Sequence, residues 1–240
     1  MAVIALTDAY VFVGSHDFTG DSNELVLEVT VNELNVPVFG DTWNAVIGGV
    51  KNSRLTMAGY WQSGADTVDA VSFDDVAVAS RVVTLGHTQT EATTAYFGQV
   101  MSARYSHGGQ HGEVYPFSLD ASGSDGDGFI QGQLALAKST VSSTGAIGSG
   151  VQLGAVGATE YLYSSFHIIG TPGTTITVVL ESDDNAGFTT ATTRATIGPE
   201  TTAGGTWVTR VAGAITDDYF RFRCTAVTGS FSCSGAIGVA

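Results

Sequence analysis

Apolar and polar residues alternate with a period of two along much of this chain. In ELVLEVTVN, Leu25, Leu27, Val29 and Val31 fall on one face, and Glu28, Thr30 and Asn32 on the other. In SRLTMAGYW, Leu55, Met57 and Trp61 alternate with Arg54, Thr56 and Tyr60. Such alternation marks half-buried antiparallel strands. Further strands are predicted over 9–13, 82–86, 95–105, 113–119, 131–137, 161–169, 175–181, 207–211, 219–226 and 231–239. One segment breaks the pattern. ADTVDAVSFDDVAVAS reads as a helix, capped by Asp66 or Thr67, with Val68, Val71, Phe73 and Val76 as its inward stripe.

The last two strands can be given a register. A hairpin turn at Thr228-Gly229 places Phe220 opposite Ile237, Phe222 opposite Gly235 and Ala226 opposite Phe231, all apolar pairs. Arg221, Arg223, Thr225, Ser232 and Ser234 then share the other face. The same register sets Cys224 against Cys233, which permits a disulfide, whereas a cytoplasmic origin favours two reduced, half-buried thiols. With the arginines on the other face, nothing basic is nearby to make either thiol a nucleophile.

Composition supports an all-β reading. Glycine supplies 31 of 240 residues and charged residues only 13%, which suits short strands and many turns. The turn-rich stretch DASGSDGDGF, 120–129, is the best boundary, dividing the chain into domains 1–128 and 129–240. The net charge of −14 is uneven: residues 1–128 hold 16 of the 23 acids and 4 of the 9 bases. An acidic surface of this kind does not grip nucleic acid; it lets DNA pass. No apolar run is long enough to span a membrane, and MAVIALTD lacks the basic start of a signal peptide. A soluble protein made in a cytoplasm is expected.

Candidate chemistry is sparse. His107, His111 and Glu113 could hold a metal, but the glycines between the histidines favour an exposed turn. Asp120, Ser122, Ser124, Asp125 and Asp127 suggest a calcium loop, yet Gln131 stands where the bidentate glutamate belongs, and a plain turn fits better. The pairs Asp74-Asp75, Asp183-Asp184 and Asp217-Asp218 are sequence neighbours, expected to point apart or into water. No nucleophile elbow is present, and Gly48-Gly49 lead into a strand rather than a helix, so a dinucleotide cradle is not supported. No enzyme activity, metal or cofactor is expected.

Two long stretches carry a family likeness. NELNVPVFGDTWNAVIGGVKNSRLTMAGYWQSGADTVDAVSF and TTAYFGQVMSARYSHGGQHGEVYPFSLDASGSDG, in that order, resemble the major tail tube proteins of long-tailed, siphovirus-like bacteriophages. The C-terminal half, with VQLGAVGATEYLYSSFHIIG, TITVVLESDDNAGF and AGAITDDYFRFR, is similar to a β-sandwich appended in some such tail proteins. The resemblance implies a tail-tube β-sandwich or split barrel with a short helix in 1–128. It implies an Ig-like or jelly-roll-like β-sandwich in 129–240, on the tube exterior.

Six copies would form a ring whose sheets join in an inner barrel, and rings would stack into the tail tube of a virion assembled in the host cytoplasm. The lumen would hold tape-measure protein and then DNA, without sequence-specific binding, for genome ejection. Tail terminator and tail-tip proteins would cap the tube, and no membrane is involved. The loop from Val36 to Lys51 would reach a neighbouring subunit or ring, with Phe39, Asp41, Trp43, Val46 and Ile47 as its contact residues. Such apolar side chains suit a buried contact better than a monomer surface. The histidine-rich turn and the cysteine pair match no family role.

Other readings stay open. The chain could be a capsid decoration or tail-tip component. It could also be a carbohydrate-binding module in which Tyr161, Tyr163, Trp207 and Tyr219 form an exposed aromatic run.

Overall fold

A computed structural model describes residues 7–40, 42–64 and 67–240. In chain order the elements begin with β1 (Tyr10–Val13), β2 (His16–Asp17), β3 (Ser22–Asn35), β4 (Val46–Tyr60), α1 (Val68–Asp74), β5 (Arg81–Gly86), β6 (Thr94–His107) and β7 (Pro116–Gly123). They continue with β8 (Ile130–Val141), β9 (Gly145–Gln152), β10 (Tyr161–Ile169), β11 (Thr175–Asp183), β12 (Thr192–Glu200), β13 (Gly204–Ala212), β14 (Tyr219–Thr228) and β15 (Phe231–Val239). Among the described residues the fold is all-β with one short helix. The sequence patterns anticipate most of these strands; the two-residue β2 and the glycine-, serine- and threonine-rich β9 and β12 are additions.

Two compact units form, and they divide differently from a single cut at 128/129. The larger combines the segment ending at Gly20 with 81–99 and 129–240; the smaller combines 21–80 with 100–128. The reason is burial. Tyr10 and Phe12 of β1 and Ala95 and Phe97 of β6 share one core with Ile130, Leu134, Tyr163, Ile169 and Ala236. Detached from the later strands, those early aromatic side chains would have no cover.

In the larger unit a sheet runs in the order β13-β10-β15-β8-β6-β5-β1-β2. It rolls up, because the Thr84 hydroxyl of β5 touches Ser165 and His167 of β10, four strands away in that order. A second sheet, β12-β11-β14-β9, packs on the outer face of the β8–β10–β15 region. Strand β10 is therefore covered on both faces. Leu162, Phe166 and Ile168 enter the core between the two sheets, while Tyr163 and Ile169 enter the rolled sheet's own core. This explains why YLYSSFHII is a run rather than an alternation.

The β14–β15 hairpin expected from the sequence does not form. β14 pairs with β11 and β9, and β15 with β10 and β8. The turn at Gly229, with φ 93°, is a corner between sheets rather than a hairpin. Both strands carry an apolar face, and placing them in facing sheets turns those faces into one shared core. Phe222 and Gly235 do meet, across the sandwich.

In the smaller unit the sheet order is β3-β4-β7, then the C-terminal half of β6. Leu55, Met57, Phe117, Leu119 and Ala121 are buried, in line with the alternation of SRLTMAGYW. Helix α1 reaches the same face, for Tyr105, in register with Leu119, donates its hydroxyl to Asp69 at 3.0 Å.

The inward stripe of α1 is not the one expected. Val68 and Ser72 are buried and Val71 is half-buried, while Phe73 is 69% and Val76 41% exposed. At roughly 100° per residue, position 73 lies about 140° around the helix from 68, whereas 72 returns close to it. Thr67 stands at the N-cap but makes no cap bond; its hydroxyl donates back to the Gln62 and Gly64 carbonyls. Asp66, the other cap candidate, lies outside the described residues.

Candidate interaction surface

Strands β3 and β4 are long, and only their inner halves belong to a core. Up to the Leu27–Leu55 pair the ribbon lies on the core of the smaller unit. Beyond it the same alternation continues into solvent: Val29, Val31, Leu34, Val46, Ile47 and Val50 are all exposed. The expectation that Val29 and Val31 share a buried face with Leu25 and Leu27 therefore fails. A two-stranded ribbon has no third layer to cover it.

The ribbon is nevertheless well specified. Leu34 pairs with Ile47 and Asn35 with Val46, and the register shifts by one residue between Val31 and Glu33. At that bulge glycine is required: a Cβ on Gly49 would stand 2.9 Å from the Asn32 carbonyl oxygen. The end loop is closed by the Val36 N–H donating to Ala45 at 2.9 Å and by Asn44 Nδ2 donating to Asn35 Oδ1 at 2.7 Å. At the tip, Phe39 is 109% and Trp43 87% exposed, so neither folds back on its own core. Asp41 lies outside the described residues.

The other sequence candidates resolve as structural parts. His107 and His111 are exposed, and His107 Nδ1 is 2.8 Å from the Tyr115 hydroxyl. The His107 ring also packs with Trp61 and Tyr105. Beside that cluster, the neighbouring Trp61 indole and the hydroxyl donated by Tyr105 hold the Asp69 carboxyl below the ordinary carboxylate range against the opposing effect of burial. No three-ligand metal cluster occurs among the described residues. Asp120 is a strand residue rather than a loop ligand. It accepts from Thr56 at 2.9 Å and pairs with Arg54 at 2.9 Å.

Asp183 and Asp184 do not simply point apart. The Asp183 carboxyl beside it raises the exposed Asp184, while Asp183 accepts the N–H groups of Asn185 at 3.0 Å and Thr190 at 2.7 Å and so fixes the following turn. Asp217 pairs with Arg194 at 2.7 Å. The proposed exposed aromatic run is absent. Tyr163 is buried, Trp207 packs on Phe97 and Tyr163, and Tyr219 belongs to the other sheet. Cys224 and Cys233 are free thiols, each fully buried in the core between the two sheets. Burial raises both, Cys233 to about 12.

One buried polar chain has no sequence signature beyond its residue types. Ser165 and His167 of β10, Thr84 of β5 and the Gly14 carbonyl form a continuous line, with contacts of 2.7 Å (Thr84–Ser165), 2.8 Å (Thr84–His167) and 2.8 Å (His167–Gly14). Alternation alone could place Ser165 and His167 on one face of β10, but not find Thr84 opposite them.

No family model and no curated protein matches the chain. Solved structures give distant likenesses. A chain in the virion of a native gene transfer agent particle is 14% identical, with a TM-score of 0.38 over 49% of this chain and 92% of that one. The SPP1 Dit (gp 19.1) protein, described as a paradigm of the hub adsorption apparatus in phages infecting Gram-positive bacteria, is 10% identical. Its TM-score is 0.39 over 98% of this chain and 100% of that one. A chain of the phage p2 baseplate in its activated conformation is 10% identical, with a TM-score of 0.35 over 98% of each chain. At such identities and TM-scores, these likenesses assign neither a fold family nor a role to this chain.

Proposed function

We propose that the protein is a structural component of a bacteriophage virion, acting as a subunit of the tail tube. Six copies close into a ring, rings stack, and the ribbon from Val36 to Lys51 crosses to a neighbouring copy. The observation that carries this is the ribbon: Phe39, Trp43, Val46 and Ile47 stand in solvent on a hydrogen-bonded, register-fixed scaffold. Preordered apolar side chains without cover mark a contact surface, and head-to-tail contacts between copies generate rings and stacked tubes. The ordered likeness of the two long N-terminal stretches to tail tube proteins supplies the identity of the assembly.

Charge supports the same role. The smaller unit, which bears the ribbon, holds 13 acids and 3 basic residues; the larger holds 10 and 6. An acidic conduit repels phosphate, so DNA and tape-measure protein pass without adhering. Terminator and tip proteins would close the two ends. The role is not enzymatic.

Electron microscopy of the purified protein and of virions tests this. Six-fold rings stacked along the whole tail are expected. Confinement to the capsid, or to a single ring at the tail tip, would replace the tube assignment by one of those positions. A protein that stays monomeric at high concentration and is absent from virions would remove the reading altogether.

A further inference from the structure

We infer that His167, Thr84 and Ser165 form an acid-sensitive latch that holds the β1–β2 turn and β5 against β10 in the larger unit. The turn at Gly14 and Ser15 is tied at three points. The Gly14 N–H donates to the Val82 carbonyl at 2.8 Å, and the Gly170 N–H donates to the Ser15 carbonyl at 3.1 Å. The third tie is the Gly14 carbonyl, which accepts from His167 Nδ1 at 2.8 Å. Only this one can titrate.

The proton positions follow from the partners. A carbonyl can only accept, so Nδ1 carries the hydrogen and Nε2 is the acceptor. Thr84 then donates to Nε2, and Ser165 donates to Thr84. Taking a proton from solvent makes Nε2 a donor as well. Thr84 must then accept from it and turn its own hydrogen toward Ser165, whose hydroxyl hydrogen is displaced in turn. The line can reverse, but the charge it gains cannot be neutralised.

His16 and Asp17 of β2 and Arg81 of β5 are the titratable or charged side chains on the β1–β2 turn and β5. His16 stacks on Phe18 and Asp17 pairs with Lys138, and the groups in contact with the imidazole are uncharged. They are the Phe12 ring of β1 at 6.0 Å, Thr84 of β5, Ser165 of β10, Gly205 of β13 and the Gly14 turn. His167 has no exposed surface, and burial lowers it from 6.5 to about 4. Space is also fixed, since a Cβ on Gly205 would stand 3.2 Å from Nδ1 and 2.8 Å from the Val82 Cβ. Protonation is therefore met by opening: the turn and β1 lift from β10 and the ring reaches water.

The sign is set by linkage. The open form binds the proton more tightly than the closed form, so acid favours opening. With one proton involved, the opening equilibrium rises by up to about tenfold per pH unit as pH falls from the ordinary histidine value toward about 4, and levels off below.

Hydrogen–deuterium exchange of the full chain tests this, corrected for the pH dependence of the intrinsic chemistry. Residues 10–17 and 82–86 should lose protection between pH 6.5 and 4.5, with 175–183 of the second sheet as the unaffected reference. His167→Asn keeps an N–H for the Gly14 carbonyl but takes up no proton, and should abolish the pH dependence of the seam. The same pH dependence in the variant, or uniform loss across both regions, would overturn the latch. If the variant does not fold, nitrogen NMR of the wild-type imidazole decides. A neutral Nδ1–H ring whose protonation coincides with loss of protection at 10–17 supports the latch; an imidazolium in a fully protected seam refutes it.

Discussion

Phe222 and Gly235 belong to different sheets and meet across the sandwich: a Cβ placed on Gly235 would come within 2.6 Å of the Phe222 ring. The glycine is a seat for the ring, and each residue explains the other. Gly235→Ala should destabilise the protein by about 1–3 kcal/mol through overpacking, and Phe222→Ala by about 3–5 kcal/mol through a cavity. In Phe222→Leu the alanine at 235 should be better tolerated, because the obstructing ring is gone. Denaturant titration of the four variants measures the coupling; strictly additive effects would show that the two do not share a seat.

Trp43 and Phe39 stand outside any core in the single chain. Trp43→Ala and Phe39→Ala should therefore change unfolding free energy by no more than ~0.5 kcal/mol. Assembly into rings or tubes should be impaired. Thermal melts paired with light scattering and electron microscopy separate the two effects. An unfolded Trp43→Ala would mean that the indole is core after all, and the contact assignment would fall.

Cys224 and Cys233 face the same core without a bridge between them. Burial raises both thiols, so at neutral pH neither offers a thiolate to a reagent. Alkylation of the native protein should be slow, and should become rapid for both cysteines together at the unfolding transition. Modification of one thiol in the folded protein, read by intact mass, would contradict their placement.

Glu181 lies directly across from Arg221 on the paired strand, and its carboxylate also reaches Arg223 at 3.3 Å. It is nearly buried, and the Arg221 guanidinium is largely covered and stacks on the Phe188 ring at 4.1 Å. Removing the acid leaves that cation without its partner. Glu181→Ala should cost about 3 kcal/mol, whereas Arg223→Ala, at a more exposed position, should cost under ~1 kcal/mol. Equal losses from the two, in the same denaturant assay, would show that the arrangement is a surface network.

Much of this fold was legible from alternation. β10 and β15 begin and end where the apolar pattern does, and Leu55 and Met57 are buried as their spacing requires. Pairing was less legible, for a physical reason. An apolar face states that something covers it, not whether the cover is a neighbour in the same sheet or a strand in the facing one, as Phe222 and Gly235 illustrate. The same ambiguity hid the boundary, since nothing in Tyr10 or Phe12 says that their partners arrive after residue 128. In the ribbon the alternation marks strand but not burial. Val29 and Val31 are patterned like core residues, and only three-dimensional reach shows that no core lies beneath them. The exposure of Phe39 and Trp43 was anticipated from their glycine-rich setting and from the family likeness. The His167 line was not, because its members come from segments far apart in sequence.

The division of the larger unit has a consequence for how the protein is made. The Gly14 carbonyl is satisfied by a residue 153 positions later, and β1 cannot join its sheet until β5 exists. On the ribosome, the smaller unit has all its segments once residue 128 has emerged, whereas the larger one must await β15. The ribbon is thus finished while Tyr10 and Phe12 still lack most of their cover. Nascent chains translated close together on one message would display exposed apolar hairpins before their rolled sheets can form. Slow, non-local closure of this kind leaves an interval in which a chaperone would protect the growing chain from its own siblings.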